Sequence, residues 1–287
     1  MSLDPQTSQL IRLALEEDHA FQDVSTLWTI PEAHRAKALL IPRAEGVLCG
    51  GPLFAEAFRL LDPSLVVNVF IEDGGTLAPN VPVAEVVGAA RGILSAERVA
   101  LNLVGRFSGI ATLTRRYVEA VAGTGARICD TRKTTPLWRG WEKIAVRMGG
   151  GTNHRANLEE MVLLKDNHVA LAGGAGKSLL AVKERNSRGI PVEIEVDTLE
   201  QLREALEIGV ERVLLDNMSF EQLRKAVGMT AGRAILEASG GVTLETVRAI
   251  AETGVDLISI GALTHSAPAF DFSLEVGGMR LARGKIL

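Results

Sequence analysis

The sequence is poor in the residues that mark several large classes of protein, and each shortage excludes something. Cysteine occurs only twice in 287 residues, at Cys49 and Cys129. Two thiols that far apart, with no CxxC, form neither a disulfide framework nor a zinc site, so both are expected to be buried thiols. Aromatics make up 4% of the chain, with a single tyrosine, against 47% hydrophobic residues. The core must then be built from Ala, Val, Leu and Ile, as in α/β proteins. No run of about 18 apolar residues is present, and the N-terminus lacks an apolar signal-peptide core. No membrane association is expected, and a cytoplasmic protein is the natural reading. Positive charge is not in excess: 31 Lys and Arg against 35 Asp and Glu leave a net charge of −4. A nucleic-acid surface would need basic charge spread over a face or groove, so nucleic acid is not expected as a partner.

Against this acidic background, positive charge gathers in one place. Between Asp130 and His168 lie Asp130-Thr131-Arg132-Lys133-Thr134-Thr135-Pro136, Gly149-Gly150-Gly151-Thr152-Asn153-His154-Arg155 and Lys165-Asp166-Asn167-His168. Basic side chains, hydroxyls and glycines packed this closely suit a small, highly charged anion. The three glycines serve either as a flexible connector or as backbone kept slim beside a ligand.

Two patterns divide the chain. Up to about residue 115 helical stripes mix with short alternating segments. Gln6–Glu17 and Pro52–Leu61 read as helices, and 36–41, 66–72 and 81–88 as strands, an α+β arrangement. Residues 95–117 read as one or two helices with Ser95 as N-cap, and Arg98 and Asn102 share a face that sequence alone favours as solvated. After Thr124, β-branched or aliphatic runs alternate with helical stretches. The runs are 126–129, 161–164, 192–196, 212–215, 234–236 and 257–260, with helices expected at 199–208, 220–227 and 244–252. Alternating β and α units imply a parallel sheet, and without a GxGxxG fingerprint a barrel is favoured over an open dinucleotide-binding sheet.

Polar residues fall at the ends of those runs: Arg132 and Lys133, Lys165, Glu195 and Asp197, Asp216, Glu237 with Ser239-Gly240-Gly241, and Gly261. The carboxyl ends of parallel strands open on one mouth, where barrel enzymes hold their sites. In residues 192–197 the carboxylates Glu193, Glu195 and Asp197 alternate with aliphatics, so one face is acidic and should point into the barrel or its mouth. Such a face serves either an internal salt-bridge network or a site for ribose hydroxyls or a divalent cation. The Ser239-Gly240-Gly241 and Gly261-Ala262 loops let backbone N–H groups approach a phosphate.

These motifs resemble the quinolinate phosphoribosyltransferase family. DTRKTTP, EK-AV, GGG-NHR, KDNH, VEIEVDT, LLDN, EASGG and GALTHSAP match in order, and Glu17-Asp18, Asp23–Thr26, Ala96-Glu97-Arg98 and Ser108–Thr112 extend the likeness up to about Val276. The resemblance implies an α/β fold: an N-terminal α/β sandwich domain over residues 1–112, to which residues 266–287 return, and an incomplete, open α/β barrel over residues 113–265. It implies that quinolinate and phosphoribosyl pyrophosphate give nicotinate mononucleotide, pyrophosphate and CO2 with Mg²⁺, on the route to NAD, in a homodimer or larger oligomer with shared sites. By the same resemblance Arg132, His154, Arg155 and Lys165 hold the quinolinate carboxylates, and Arg98 reaches them from the other subunit. Lys133 faces the pyrophosphate. Glu195 and Asp216 serve the ribose and the metal. Ser239, Gly240 and Gly261 cradle the 5′-phosphate, with His265 nearby. The chain departs from the family at Leu137 and Asn157, where glycine is usual, at Ile144, where tyrosine is usual, and at Gln22, again a usual glycine. The alternatives within the fold are a molybdenum-associated relative or a nicotinate-specific enzyme. The former would lack parts of RKTTP and KDNH, both of which are intact here.

Overall fold

The computed structural model describes residues 3–277, which divide into two compact units, residues 3–112 with 267–277 and residues 113–266. Of the tail 277–287, which the family likeness does not reach, all but Gly277 lies outside the described residues.

Helix α1 (Pro5–Glu17) starts where Asp4 accepts the Thr7 N–H at 2.9 Å and Pro5 occupies the first turn, and it buries Ile11 and Leu15. Helix α2 (Val24–Thr29) is capped by Asp23. Then come β1 (Arg35–Pro42), β2 (Gly46–Val47), α3 (Gly51–Leu61), β3 (Val66–Val69), β4 (Thr76–Leu77), β5 (Ala84–Ala89) and α4 (Ala90–Ala120). Ser95 is not an N-cap. The stripe of Ala90, Ile93 and Ala96 is buried, so α4 begins five residues earlier than Ser95 and runs unbroken for 31 residues, and the Ser95 hydroxyl donates to the Asp23 carboxylate at 3.1 Å. The second unit holds β6 (Arg127–Cys129), α5 (Arg139–Met148), β7 (Val162–Leu164), α6 (Asp166–Ala172), α7 (Ala175–Arg185), β8 (Val192–Val196), α8 (Leu199–Ile208), β9 (Arg212–Asp216), α9 (Phe220–Thr230), β10 (Ile235–Ser239), α10 (Val247–Ala251), β11 (Leu257–Ser259) and α11 (Ala262–His265). Strand β12 (Phe272–Val276) belongs to the first unit.

The first unit has an antiparallel sheet in the order β12-β1-β5-β3, with Leu40 opposite Leu274 and Ala38 opposite Val86. Its alternating strands bury one face with Phe54 and Phe58 of α3, whose rings meet edge to face at 5.0 Å. The second unit is a six-stranded parallel sheet in the order β6-β11-β10-β9-β8-β7, with β6 and β7 at its edges, so the barrel is open. Capping boxes start α8 (Thr198 with Gln201) and α9 (Ser219 with Gln222), which fixes where each strand hands over to its helix. The fold is thus mixed α/β, a small antiparallel-sheet unit followed by an open parallel α/β unit.

Candidate active site

The carboxyl ends of the parallel strands surround a cleft of about 760 Å³ in the second unit. Arg132 and Lys133 enter it after β6, His154 and Arg155 after α5, Lys165 after β7, and Glu195 and Asp216 from the ends of β8 and β9. Ser239 and Gly240 close β10, and Gly261 and His265 follow β11. Every residue to which the family resemblance gives a role therefore lines this cleft except Arg98. That residue is exposed on α4 in the first unit, beside Asp18, His19, Asp23 and Ser95.

The basic half is held by two residues that the sequence did not single out as structural. Asp130, fully buried at the end of β6, accepts the Lys143 ammonium at 2.5 Å, the His154 N–H at 2.8 Å and the Asn153 amide at 2.6 Å. Lys143 of α5 also donates to the His154 carbonyl at 2.9 Å. Burial pushes the Asp130 pKa up, with Lys143 pulling against it. Next along α5, Glu142 accepts the Thr135 hydroxyl at 2.8 Å and steadies the loop after Lys133. Arg139 ties the Thr134 hydroxyl (2.9 Å) to the Ala156 carbonyl (2.9 Å), joining the two loops that carry the arginines. Arg155 donates to the Met161 carbonyl at 2.8 Å, and its pKa is lowered first by burial and then by the charge of Arg132. The Nε atoms of both arginines are buried without a hydrogen-bond partner. Two neighbouring guanidinium groups with unsatisfied donors form a seat that an anion would relieve.

His154 lines the cleft, and both of its ring nitrogens are engaged by protein groups. Its Nδ1 accepts the Arg155 N–H at 2.8 Å, which places the ring N–H on Nε2, and Nε2 lies 2.9 Å from a Glu193 oxygen. The triple glycine 149–151 is not a ligand loop. None of the three lines the cleft. A Cβ on Gly151 would press on Thr114 and Val146 at 2.8 Å, and Gly150 has φ +92°, so packing and a turn explain them.

The acidic face of β8 splits between the two roles that its pattern allowed. Glu195 reaches the cleft, with Lys165 Nζ 3.5 Å from its Oε2. Its pKa is raised by burial, with Lys165 opposing and Asp216 adding to the rise. Glu193 instead joins a buried salt-bridge network, the other role that the pattern allowed, with partners that the sequence did not name. Arg212 of β9 donates Nε to Glu193 at 2.9 Å and Nη2 to Oε2 of Glu237, while His154 touches both carboxylates. Asp197, beyond the strand end, is exposed.

Among the described residues, His154, Glu193 and Glu237 are the three side chains clustered tightly enough to ligate one ion. The Arg212 guanidinium already lies against both carboxylates there, which disfavours a cation. Glu195 and Asp216 offer a hard cation two oxygen donors at the mouth and leave its other positions to water and ligand phosphates, as suits Mg²⁺.

Two glycines on the cleft leave little room for a side chain. Gly240 has φ +99°, and a Cβ there would collide with the Asn217 side chain. A Cβ on Gly261 would meet Lys133 Cδ at 3.0 Å and His265 Nε2 at 3.1 Å. Of the departures from the family pattern, Leu137 adopts φ +69°, the left-handed region that glycine occupies without strain, and Asn157 instead builds a turn by accepting the Glu159 and Glu160 N–H groups at 2.9 and 3.1 Å.

A parallel α/β unit with cationic, carboxylate and glycine-lined sectors around one mouth is the framework of a transferase for small polyanions. Residues 23–108 match the family model for the quinolinate phosphoribosyl transferase N-terminal domain, and residues 110–275 match that for its C-terminal domain. The chain belongs to the quinolinate phosphoribosyltransferase family. It is 43% identical over 275 residues to a nicotinate-nucleotide pyrophosphorylase [carboxylating] of Mycobacterium leprae, covering 93% of this chain and 95% of that protein. It is 42% identical over 286 residues to a chloroplastic nicotinate-nucleotide pyrophosphorylase [carboxylating] of Oryza sativa, covering 93% and 76%. The solved nicotinate-nucleotide pyrophosphorylase of Francisella tularensis superposes with a TM-score of 0.91 at 37% identity, covering 96% of this chain and 98% of the other. A human nicotinic acid phosphoribosyltransferase, 16% identical with a TM-score of 0.62, shares the fold.

Proposed function

We propose that this protein transfers the phosphoribosyl group of phosphoribosyl pyrophosphate to quinolinate, releasing pyrophosphate and CO2 and leaving nicotinate mononucleotide for NAD synthesis. The observation that carries this reading is the division of one cleft into cationic, carboxylate and glycine-lined sectors. Arg132 and Arg155, with their unpartnered Nε donors, hold the two ring carboxylates, and Lys165 stands beside them. Held there, the pyridine nitrogen faces the anomeric carbon. Glu195 and Asp216 stand by the ribose, where positive charge develops as the bond to pyrophosphate breaks, and fixed carboxylates stabilise that charge without reorganising. Lys133 neutralises the departing diphosphate. Ser239, Gly240 and Gly261 bring backbone N–H groups to the 5′-phosphate, next to His265. Glu195 and Asp216 would hold Mg²⁺ through oxygen, and the ion would supply further charge neutralisation at the diphosphate.

A homodimer belongs to this reading. Arg98, exposed on α4, is the remaining cation of the family motif, and in this reading it serves a second subunit's site. A cytoplasmic setting is supported by two buried cysteines left as free thiols, and no helix among the described residues is long and apolar enough to cross a membrane.

The test is direct. Purified protein with Mg²⁺, phosphoribosyl pyrophosphate and quinolinate should release pyrophosphate and CO2 in equal amounts. No product, or equal turnover with nicotinate, defeats the assignment.

A further inference from the structure

Loss of CO2 from the ribosylated ring leaves an electron pair on C2, and that carbon must receive a proton before the product can leave. The cationic side chains over the ring are poor sources. Arg132 and Arg155 do not give up protons at any ordinary pH, and Lys165 is engaged 3.5 Å from Glu195.

The floor of the cleft holds a better one. Glu237 of β10 lines it beside His154 and is otherwise completely buried. The groups facing Glu237 are Arg212 of β9, Glu193 of β8, His154, and Cys129 of β6. The Cys129 thiol, pushed up to about 12 chiefly by burial, stays protonated and contributes no charge. The His154 ring carries one N–H, on Nε2, because the Arg155 N–H occupies Nδ1. Glu193 has both oxygens satisfied as acceptors, by His154 and by Arg212. That leaves one guanidinium against two buried carboxylates, an excess negative charge that a dry interior does not tolerate. Glu237 resolves it. Its Oε2 is bound by Arg212, while its Oε1 is buried with no hydrogen-bond partner. Burial and the neighbouring Glu193 both push its pKa up.

We propose that Glu237 is a carboxylic acid protonated on Oε1 and delivers that proton to C2 of the pyridine ring as CO2 departs. This rests on the reaction assigned above and adds its proton source. The bond between C2 and its carboxyl carbon breaks, and CO2 leaves without the bonding pair. That pair stays on C2 beside the cationic ring nitrogen and takes the proton from Oε1. Glu237 is left as a carboxylate and regains a proton from water before the next turnover. A poised acid matters because CO2 loss is reversible until C2 is protonated.

Glu237→Gln keeps the shape and an oxygen for Arg212 but removes the acid. In the wild type, pyrophosphate and CO2 should appear one to one. In E237Q, CO2 release should fall roughly a hundredfold behind pyrophosphate release, with the ribosylated dicarboxylate accumulating. An active E237Q that releases the two in step overturns the proposal while leaving the assigned reaction intact. A wild type that releases neither defeats the reaction, and the proposal with it. Should E237Q fail to fold, the wild type alone still decides between the outcomes. With nicotinate mononucleotide in D2O, Glu237 that has released its proton to solvent runs the same transfer backwards, so the C2 proton signal should disappear faster with enzyme than without, and no acceleration overturns the proposal.

Discussion

Lys143 places its ammonium nitrogen 2.5 Å from Oδ1 of Asp130, with the two side chains 5% and 0% exposed. The pair links α5 to the end of β6, and both residues also bond the backbone of His154. A buried pair of this kind contributes little over a well-packed apolar substitute, but removing one partner strands the other charge. Lys143→Met should therefore destabilise the protein by about 3–5 kcal/mol, read as a lower midpoint in urea. A loss under about 1 kcal/mol would mean that Asp130 finds another partner. The variant should also bind quinolinate more weakly, because the same bonds position Arg155.

The sequence exposed Lys143 as part of a motif but not as a strut, and that difference runs through the molecule. Residues at the strand ends, such as Lys165, Asp216 and Ser239, were legible because parallel strands end on one face and the chain order then dictates convergence. The Arg212 network was not legible, since it depends on register: Arg212 pairs with Glu193 on one side and Ile235 on the other, which brings Glu193 and Glu237 to one guanidinium. Alternation in 192–197 announced an acidic face without saying that Glu193 and Glu195 would serve different ends. The start of α4 was misplaced because a serine is a good cap only where the preceding residues cannot continue the helix, and here Ala90 and Ile93 do. The pairing of β1 with β12 joins residues 230 or more positions apart, beyond any local signal.

Leu137 holds φ +69° while 71% exposed, so it combines backbone strain with little packing. A left-handed L-residue costs about 1–2 kcal/mol, partly offset in the replacement by the greater unfolded-state freedom of glycine. Leu137→Gly should raise stability by roughly 0.5–1 kcal/mol. Denaturant titration with an unchanged slope would register this as a higher midpoint, and a lower midpoint would show that Leu137 packs usefully where it stands.

Gly240→Ala joins two penalties, a Cβ in the left-handed region and a collision with Asn217. The loop must shift, and its backbone donors leave the phosphate. The KM for phosphoribosyl pyrophosphate should rise on the order of tenfold, about 1.4 kcal/mol, while quinolinate bound alone keeps its affinity. Equal weakening of both ligands would point to a general collapse of the cleft instead.

If Arg98 serves a neighbouring subunit, sites can be repaired by exchange. Arg98→Ala and Lys133→Ala proteins should each be inactive. After mixing under conditions where subunits exchange, mixed dimers carry one intact site, and activity should return to about a quarter of the wild-type value for random pairing in a two-fold dimer. Proven exchange without recovery places Arg98 outside the partner's site.

Glu237 also leaves a signature in stability, independent of turnover. Burial, reinforced by Glu193 and opposed by Arg212, holds its folded-state pKa above the ordinary 4.5. The folded protein then keeps this proton at a pH where the unfolded chain has released it. Stability from this group is complete below 4.5 and falls as pH rises, by at most about 1.4 kcal/mol per pH unit, until the raised folded pKa is passed. Asp130 and Glu195, also raised by burial, slope the same way, but they are common to wild type and variant. Glu237→Gln removes only its own share. The Tm of E237Q minus that of the wild type should therefore grow from pH 5 upward and level off once Glu237 is ionised in the folded wild type. A constant difference across that range would mean that Glu237 is ionised in the folded protein throughout.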